Sequence, residues 1–522
     1  MRRMEPHRFT VYDMLKRNGK HFKNAVALVS HQERMTFGEI LQKVQALSAG
    51  LFKEGIHQGD RVAVLAQNSP RYFLLLCAAA ATGSIVIPIN WRLSREEIQY
   101  ILLDSTPKAI FFDEEFKELA ASFKTRCESL KKFFNLGDTQ GDFDHFTELI
   151  VNDSFQEVDL NGNDPYVLLY TAAVQGKPRG AILSQDNVIF CNIQAIGTMG
   201  LNAKDIYLTF LPLFHVAGLA LAFSVLHAGG KNIILSKFDP KVVARMIDQD
   251  RVTIIGSFPP ILTQLMEVAL NDRVDLTSLK HVVGIEAADT IKRFQETLHG
   301  QFWLAYGQTE TMGLTCLFVD PEKPGSAGKP GLLTEIRIVD EYDRELEREK
   351  DGEILVRGPL VFQGYWKQEE LTKYTFREGW HHTGDIGRLD QEGSLWFSGR
   401  KVEKELIKPG GENVYPAEVE KAILEHPAIK KAVVFGVPDP KWGEAIKAVC
   451  QLNPGEILEV QELIDFVAHR IARYKKPNQV EFVDSLPLRP DGSPDRGRVK
   501  ALYGQDLSKD PKAATPSNLE KT

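Results

Sequence analysis

Cysteine is scarce in this chain, with five residues in 522, and no two of them form a Cys-x-x-Cys pair. They are scattered, at Cys77, Cys127, Cys191, Cys316 and Cys450. An odd and dispersed set predicts neither a disulfide framework nor a zinc site. Because disulfides are rare in reducing compartments, we expect a cytoplasmic location.

A strong excess of one charge is also absent. The 63 Lys and Arg residues and 70 Asp and Glu residues give a formal net charge of −7, spread along the chain. Nothing in this balance indicates a nucleic-acid partner, which would need a basic surface. A hydrophobic content of 43% with 25% charged residues is typical of a globular protein.

Long apolar runs are missing as well. The longest, Tyr72–Pro88, is interrupted by Thr82-Gly83-Ser84 and is shorter than the ~20 residues that a membrane-spanning helix needs. It predicts a buried helix, a turn and a core strand, so we expect no transmembrane segment. The first residues contain no apolar segment of the kind found in secretory signals.

Helix and strand patterns alternate through most of the chain. In residues 10–150, and again in 165–330, β-prone runs are separated by helical patterns, which is typical of parallel, doubly wound sheets. Hairpin-like strands follow from about residue 331. We predict an α/β fold with a large N-terminal domain of two doubly wound lobes and a small β-rich subdomain, followed by a small mobile α+β domain. The predicted boundaries are 1–399 for the N-terminal domain, 400–405 for a hinge, 406–505 for the C-terminal domain and 506–522 for a disordered tail.

The stretch Leu168–Ser184 has the pattern of a phosphate-binding segment. An apolar strand leads into a loop with Lys177 and Arg179, and a helix follows with Ser184 as its predicted N-cap. Backbone N–H groups and basic side chains in such a loop bind anions. The middle of the loop, residues 172–175, reads Ala-Ala-Val-Gln and lacks the hydroxyl donors that phosphate loops favour. By itself, this pattern leaves an ordinary surface loop open.

Two further groups of polar residues follow predicted strands. In the run Tyr306–Glu310, the tyrosine offers a flat face to a base, the threonine a hydroxyl to phosphate and the glutamate a hard oxygen ligand to Mg²⁺. In Thr383-Gly384-Asp385, a carboxylate at a glycine turn can accept both hydroxyls of a ribose. Taken alone, either group also fits a polar turn at a strand end.

Six motifs together carry a resemblance to a known family. They are PLFHVAG at 212–218, YGQTE at 306–310, TGD at 383–385, GR at 399–400, GGENVYP at 410–416 and FGVPDPKWGEA at 435–445. In order and spacing they resemble the acyl-adenylate-forming superfamily of AMP-forming acyl-CoA synthetases, luciferases and the adenylation domains of peptide synthetases. The resemblance covers roughly residues 10–505.

The resemblance implies a two-step reaction on a small-molecule carboxylate. ATP, with Mg²⁺, would give acyl-AMP and pyrophosphate, and coenzyme A would then accept the acyl group. In the nucleotide site it implies Tyr306 near adenine, Gly307 and Gln308 in the same turn, Thr309 at the α-phosphate, Glu310 on Mg²⁺, and Asp385 on the ribose with Arg400 beside it. In the phosphate loop it implies Thr171, Gly176, Lys177, Arg179 and Gly180, and elsewhere His215 in the acyl pocket, Gly410 and Gly411 at the pantetheine tunnel and a hinge around 401–404. A packed core histidine remains open for His215.

The chain departs from the family pattern at several positions. Ala172–Gln175 lacks the family's hydroxyls and glycine, and Arg179 replaces a lysine. Ser493 stands where the family has a lysine that contacts the reacting carboxylate and the α-phosphate. Gly284–Ala288 reads GIEAA where Gly-Gly-Ala is frequent, and Val402-Glu403 resembles an insertion. These departures predict altered phosphate handling.

Three functions remain open from the sequence. The first is an AMP-forming acyl-CoA synthetase, an acid–thiol ligase, in which Lys177, Arg179, Lys404 or Lys500 compensates for the lost groups. The second is an enzyme of the same architecture that acts mainly on acyl-AMP or acyl-CoA. The third is a non-catalytic nucleotide or acyl-CoA binding protein. The sequence leaves the acid open among medium-chain, alicyclic and aromatic classes, and it leaves the oligomeric state open, a homodimer included.

Overall fold

The computed structural model describes residues 8–31, 33–138, 143–171, 178–318, 323, 325–401, 405–489 and 492–504. These residues form two compact units, and the smaller unit begins at Glu405. The predicted tail 506–522 lies outside the described residues, as do 402–404 of the predicted hinge.

Strands of the larger unit are β1 (Val26–Val29), β2 (Arg34–Thr36), β3 (Arg61–Leu65), β4 (Ile85–Pro88), β5 (Ala109–Phe112), β6 (Lys132–Asn135), β7 (Asp144–His145), β8 (Pro165–Thr171), β9 (Arg179–Ser184), β10 (Ile206–Thr209), β11 (Lys231–Ile234), β12 (Ile254–Ser257), β13 (His281–Gly284), β14 (Gln301–Tyr306), β15 (Cys316–Phe318), β16 (Glu335–Val339), β17 (Gly352–Arg357), β18 (Phe376–Arg377), β19 (Trp380–Leu389) and β20 (Leu395–Arg400). Its helices are α1 (Val11–His21), α2 (Phe37–Lys53), α3 (Pro70–Thr82), α4 (Arg95–Ser105), α5 (Lys117–Ser122), α6 (Gln185–Met199), α7 (Val216–His227), α8 (Pro240–Asp250), α9 (Ile261–Asp272), α10 (Ala288–Leu298) and α11 (Glu369–Thr375).

Two large sheets with mainly parallel central strands form the core of this unit. One has the order β7-β6-β5-β3-β4-β8-β9, and the other has the order β15-β14-β13-β12-β10-β11-β1-β2. Their central strands are short, apolar and buried, as expected where helices cover both faces of a parallel sheet. The predicted pair of doubly wound lobes is therefore confirmed.

The two sheets do not each take one stretch of the chain. Strands β1 and β2, from before residue 40, join the second sheet through parallel pairing of β1 with β11. Conversely, β8 and β9, from after residue 164, complete the first sheet through pairing of β4 with β8. The division into 10–150 and 165–330 was wrong in this respect. A helical connection can return the chain to either sheet, and the hydrophobic pattern of a strand does not show which strand it pairs with.

Helix α3 shows why the longest apolar run is a core element. Ser69 caps its first turn by accepting from the N–H of Tyr72, and Pro70 occupies the first helical position. Gly83 ends the helix at φ 72°, a conformation that favours glycine. All residues from Tyr72 to Thr82 are buried, as predicted. No described helix is long and apolar enough to cross a membrane.

The segment Leu168–Ser184 differs from its predicted strand–loop–helix order. After the loop, a second strand, β9, pairs antiparallel with β8 before helix α6 begins at Gln185. Ser184 is the N-cap of α6, as predicted, and it forms a capping box with Asn187. The helix N-terminus is therefore separated from the basic loop by the length of β9, and its dipole does not contribute to that loop.

An antiparallel sheet completes the larger unit. Its order is β16-β17-β19-β18, with β20 paired to the other part of β19. This arrangement confirms the predicted β-rich subdomain. Its central strand, β19, carries the Thr-Gly-Asp motif.

The smaller unit is an α+β fold with its own core. Its strands are β21 (Ile429–Asp439), β22 (Gly443–Leu452) and β23 (Gln479–Val483), and its helices are α12 (Pro416–Leu424), α13 (Val460–Ala468) and α14 (Arg496–Tyr503). Strands β21 and β22 form a long hairpin, and β23 pairs parallel to β22. Apolar side chains such as Val434, Ala448 and Leu463 pack between the sheet and the helices.

Candidate active site

The run Tyr306–Glu310 lies in a tight turn at the carboxyl end of β14. A short 3₁₀ helix, Thr309–Thr311, follows the strand, and Gln308 precedes it. A Cβ added to Gly307 would lie 2.5 Å from the backbone carbonyl carbon of Gly313, so only glycine fits this approach. The turn presents its polar side chains at the edge where parallel α/β sheets bind ligands.

A bulge in β19 sets the position of Asp385. Glu353 pairs with Ile386, but Leu355 pairs with His382, so Thr383-Gly384-Asp385 contains extra residues relative to β17. Gly384 has φ 68°, which favours glycine at this bulge. The Thr383 hydroxyl donates to the Ile354 carbonyl at 2.6 Å and accepts from the Asp385 N–H at 3.0 Å, which fixes the turn.

The Asp385 carboxylate connects three other predicted site residues. One oxygen accepts from the Tyr306 hydroxyl and from the Gln308 amide, each at 2.8 Å. The other accepts from Nε of Arg400 at 3.0 Å. The Gln308 amide also donates to the Thr383 carbonyl at 3.0 Å. The structure therefore brings residues from three separate motifs together around one buried carboxylate.

This network affects the protonation of Tyr306 and the acceptor positions of Asp385. Burial, followed by the nearby negative charge of Asp385, raises the pKa of the Tyr306 hydroxyl well above its ordinary value, so Tyr306 is a donor at neutral pH. A carboxylate has about four acceptor positions, and donors among the described residues occupy three of them on Asp385. A ribose hydroxyl can use the remaining position, and a second one would have to replace an existing donor.

Glu310 belongs to a second cluster, which sequence reasoning missed in part. Its carboxylate accepts from the hydroxyl of Tyr365 at 2.8 Å, and its backbone carbonyl accepts from the N–H of Phe362 at 2.8 Å. The guanidinium of Arg179 lies 5.9 Å from the centre of the Tyr365 ring. Tyr365 therefore connects the predicted Mg²⁺ ligand with a cation at the edge of the predicted phosphate loop.

Backbone pairing explains how these distant segments meet. Ala181 of β9 forms a bridge with Tyr365, and Trp366 N–H donates to the Gly180 carbonyl at 2.8 Å. Across the loop, Thr171 pairs with Arg179, so both ends of the loop are anchored on the sheet. Gly176, Lys177 and the rest of 172–177 lie outside the described residues.

His215 lies at the start of α7 and borders the same region. Its ring centroid is 4.7 Å from that of Phe214, and its backbone N–H donates to the Pro212 carbonyl. A Cβ built on Gly313 would lie 3.2 Å from Val216, the next residue in the chain. The segment carrying His215 therefore packs against the turn that carries Tyr306 and Glu310. The exposure of His215 is intermediate.

The buried carboxylate of Glu353, beside the turn Thr383–Asp385, was not predicted. Glu353 accepts from the Gly384 N–H at 3.0 Å and from Nζ of Lys401 at 2.9 Å, and it lies 3.0 Å from Nδ1 of His382. Burial alone would raise its pKa, but hydrogen bonds from His382 and Lys401 outweigh burial and lower the pKa to about 2. The one available signal was an acidic residue inside the apolar strand Gly352–Arg357.

This buried group does not fit a metal centre. Asp343, Glu353 and His382 lie close enough to hold an ion. However, the Arg377 guanidinium hydrogen-bonds to Asp343 and lies 2.7 Å from Nδ1 of His382, and Lys401 donates to Glu353. Two cations already neutralise the two carboxylates, so an added ion would meet like charge.

The unusual Glu286 of the GIEAA segment has a local structural role. Its carboxylate accepts from the Ser257 hydroxyl at 2.7 Å and from the Leu262 N–H at 3.4 Å, at the first turn of α9. Burial raises its pKa, partly offset by these hydrogen bonds. Gly284, at φ 153°, has no room for a Cβ beside the Ser257 carbonyl. Glu286 thus caps helix α9, close to β13, the strand next to β14 in the sheet.

In the smaller unit, Gly410 and Gly411 form a turn with left-handed backbone angles of φ 57° and 84°. The Gly410 N–H donates to the Trp442 carbonyl at 2.9 Å, which fixes the turn against the β21–β22 connection. Both positions favour glycine on backbone grounds. The predicted pantetheine contact remains a prediction.

With this geometry in hand, comparisons with known proteins identify the class. Residues 15–366 match the family described as AMP-binding enzyme, and residues 418–492 match the AMP-binding enzyme C-terminal domain. A feruloyl-CoA synthase from an Amycolatopsis species is 32% identical over 499 residues, covering 94% of this chain and 98% of that protein.

Solved structures agree with this match. The o-succinylbenzoate CoA synthetase of Bacillus subtilis superposes with a TM-score of 0.82 at 28% identity, covering 94% of this chain and 98% of that one. The amide bond synthetase McbA of Marinactinospora thermotolerans gives a TM-score of 0.86 at 26% identity, covering 95% and 100%.

The fold and the matches therefore define an adenylate-forming α/β enzyme with a large N-terminal and a small C-terminal domain. The chain belongs to the AMP-binding enzyme family. The predicted class, an AMP-forming acid–thiol ligase, is confirmed at the level of this family, as are the predicted nucleotide and coenzyme A ligands.

Proposed function

We propose that the protein is an acyl-CoA synthetase that activates an organic carboxylate as its acyl-adenylate and transfers the acyl group to coenzyme A. The observation that carries the proposal is the Asp385 network, in which Tyr306, Gln308 and Arg400 converge on one buried carboxylate. This arrangement suits a nucleoside, with a tyrosine ring for the base and a carboxylate for ribose hydroxyls.

The proposed reaction has two balanced steps. A carboxylate oxygen attacks the α-phosphorus of ATP, and the bond to pyrophosphate breaks. The coenzyme A sulfur then attacks the acyl carbon, AMP leaves, and the thiol proton passes to solvent. We assign Thr309 to the α-phosphate, Arg179 and Lys177 to phosphate charge, and His215 to the wall beside the carboxylate. Thr171, Gly176 and Gly180 would frame the phosphate loop.

Glu310 fits the requirements of a Mg²⁺ ligand. Tyr365 engages one carboxylate oxygen, and the other oxygen has no hydrogen-bond partner in the part of the chain that the structure describes. Carboxylate oxygen is the ligand type that Mg²⁺ prefers. When bound, the ion would offset the negative charge of the phosphates. Tyr365 orients the carboxylate toward that task.

The acid is proposed to be aromatic in the first instance. This choice rests on relatives named feruloyl-CoA synthase, indoleacetate–CoA ligase and 2-succinylbenzoate–CoA ligase. A relative named as a long-chain-fatty-acid–CoA ligase keeps aliphatic acids in the test panel. Residues 400–405 are proposed as the hinge, and Gly410 and Gly411 as the face toward pantetheine.

A second candidate function follows from Ser493. With serine at the position where the resemblance places a lysine, adenylation can be slow while thioester formation is retained. The protein would then act mainly on acyl-AMP supplied to it. We also propose that phosphate handling is altered, because the loop at 172–175 lacks hydroxyl donors.

The test is a panel of aromatic, alicyclic and aliphatic acids with ATP, Mg²⁺ and coenzyme A. We expect pyrophosphate and AMP in equal amounts, and thioester only when coenzyme A is present. Asp385→Ala is the inactive control. Thioester formed only from supplied acyl-AMP would favour the second candidate. AMP binding with turnover in neither assay would overturn both and indicate a non-catalytic binding protein.

A further inference from the structure

The last turn of α4 receives hydrogen bonds from two other segments of the larger unit. Asp104 lies in this turn, where backbone carbonyls have no partner within the helix. Its carbonyl accepts from the indole N–H of Trp366 at 3.2 Å and from Nζ of Lys367 at 2.6 Å. Its carboxylate accepts from the hydroxyl of Tyr170, at the end of β8, at 2.5 Å. Asp104 thus joins α4 to two segments that are distant from it in the sequence.

Tyr170 leads directly into the predicted phosphate loop. It pairs with Gly180 on the other side of the loop, next to the pair of Thr171 with Arg179. A Cβ added to Gly180 would lie 3.2 Å from Cζ of the Tyr170 ring. Burial, followed by the hydrogen bond to Asp104, raises the pKa of the Tyr170 hydroxyl, so this group is a donor at neutral pH. The hydrogen bond to Asp104 therefore fixes the strand end from which the loop begins.

Trp366 connects the same junction to the other end of the loop. Its backbone N–H donates to the Gly180 carbonyl at 2.8 Å, while its indole N–H reaches Asp104. The residue before it, Tyr365, donates to the carboxylate of Glu310. Asp104 is therefore linked to β8 through Tyr170, to β9 through Trp366, and by the same short segment to the proposed Mg²⁺ ligand.

Arg179 lies close to this junction as well. Burial and the charge of Asp104 raise the pKa of the Tyr100 hydroxyl in α4, and the charge of Arg179 lowers it, so both charges act on one ring. The Arg179 guanidinium also lies 5.9 Å from the centre of the Tyr365 ring. The cation that we assign to phosphate charge is thus held between α4 and the segment that carries Tyr365.

We propose that Asp104 is a positioning residue for the adenylation step. Through Tyr170 it holds the start of the phosphate loop in register with Arg179, so that the loop can bind the pyrophosphate part of ATP. It touches neither substrate nor metal. The inference rests on the proposed acyl-CoA synthetase function. Because AMP and acyl-AMP lack the pyrophosphate group, the role of Asp104 should be confined to reactions of ATP and pyrophosphate.

A purely structural role for the Tyr170 hydrogen bond makes a different prediction. It would affect the stability of the fold and leave the use of ATP unchanged. Tyr166→Phe is the matched control, because Tyr166 lies on the same strand and its buried hydroxyl donates to the Leu76 carbonyl at 2.9 Å. Tyr166→Phe and Tyr170→Phe remove the same group from one strand, and only Tyr170 adjoins the loop.

The experiment measures three quantities for each variant. They are the Mg·ATP concentration for half-maximal ATP–pyrophosphate exchange with the best acid, the affinity for AMP by calorimetry, and the rate of thioester formation from supplied acyl-AMP and coenzyme A. We expect Tyr170→Phe and Asp104→Ala each to raise the half-maximal ATP concentration by about tenfold or more, as for the loss of a hydrogen bond to a charged group. The affinity for AMP and the thioester step should remain as in the wild type.

Further variants test whether the hydrogen bond itself is responsible. Asp104→Asn keeps an acceptor oxygen for the Tyr170 hydroxyl, so its half-maximal ATP concentration should stay within about threefold of the wild type. The double variant of Asp104→Ala with Tyr170→Phe should be no worse than Asp104→Ala alone, since both changes remove one interaction. Tyr166→Phe should leave all three quantities unchanged.

Other outcomes separate this inference from the proposed function. A wild-type dependence on ATP in both Tyr170→Phe and Asp104→Ala would overturn the role of Asp104 and leave the synthetase function intact. Equal losses in exchange, AMP affinity and the thioester step, or the same loss in Tyr166→Phe, would indicate a structural role and also overturn the inference. Absence of exchange in the wild type with every acid would overturn the synthetase function, and the role of Asp104 with it.

Discussion

The hydroxyl of Tyr365 donates a hydrogen bond to the carboxylate of Glu310 at 2.8 Å, across 55 positions of sequence. The same ring lies beside the Arg179 guanidinium. One tyrosine thus orients the predicted metal ligand and packs against a cation of the phosphate loop. This relationship suggests that metal dependence can be altered without touching Glu310.

Tyr365→Phe keeps the buried ring and removes only the hydroxyl. A hydrogen bond to a charged group contributes about 1.5–3 kcal/mol, so we expect the Mg²⁺ concentration for half-maximal adenylation to rise by about tenfold or more. The measurement is a Mg²⁺ titration of pyrophosphate release. Tyr342→Phe, at a tyrosine that is 69% exposed, is the control and should leave the titration unchanged. An unchanged titration in Tyr365→Phe would contradict the assigned role.

Asp385 and Glu310 should matter for separate reasons. Asp385→Ala removes the acceptor for ribose hydroxyls, so ATP and AMP should both bind about 10-fold or more weakly, with or without Mg²⁺. Glu310→Ala should chiefly weaken the Mg²⁺-dependent step and leave AMP binding without metal largely intact. Calorimetric titration with AMP and ATP, each with and without Mg²⁺, checks both. Equal losses that do not depend on Mg²⁺ would count against the two assignments.

Gly307 should tolerate no side chain. In Gly307→Ala the new Cβ would lie 2.5 Å from a backbone atom of Gly313, so the turn carrying Tyr306 and Glu310 must shift. We expect AMP binding to weaken by about 10-fold or more, given the hydrogen bonds that the turn aligns. Gly497→Ala, in helix α14, has no contact closer than 3.6 Å and should be neutral or stabilising by about 0.5–1 kcal/mol. Wild-type AMP affinity in Gly307→Ala would show that the turn adapts.

The sequence predicted the polar residues of the candidate nucleotide site better than the residues that hold them in place. Tyr306 and Asp385 could be found because glycines and polar side chains follow apolar strands in recognisable motifs. Tyr365 and Glu353 could not be found in this way, because their contacts join separate segments through β9 and β19.

The sheet to which each strand belongs could not be predicted from the sequence either. Periodicity predicted the alternation of helices and strands, and the buried helix and core strand expected in Tyr72–Pro88 are α3 and β4. It did not reveal that β1 and β2 join the second sheet, nor that β9 separates the phosphate loop from α6. Both features depend on pairing partners, and a hydrophobic pattern records burial rather than pairing.

Glu353 should give the folded protein a dependence on acid pH. Its folded-state pKa of about 2 lies below its ordinary value of 4.5, so the native state favours the charged form. The resulting stabilisation is fully present above about pH 4.5 and is lost as the pH falls through the folded-state value. At 1.36 kcal/mol per pKa unit the contribution is about 3 kcal/mol. Glu353→Gln should therefore be less stable than wild type near neutral pH.

The difference between wild type and Glu353→Gln should shrink as the pH is lowered from about 5 toward 2, because Glu353 of the unfolded wild-type chain then binds a proton that the folded state still excludes, which favours unfolding. Urea unfolding of both proteins at stepped pH gives the two free energies. Arg344→Gln is the matched control, since its ion pair with Asp340 lies on the exposed surface of the same subdomain and contributes little. A wild-type advantage that stays constant across this range would mean that Glu353 acts through packing, since charge alone makes the advantage depend on pH.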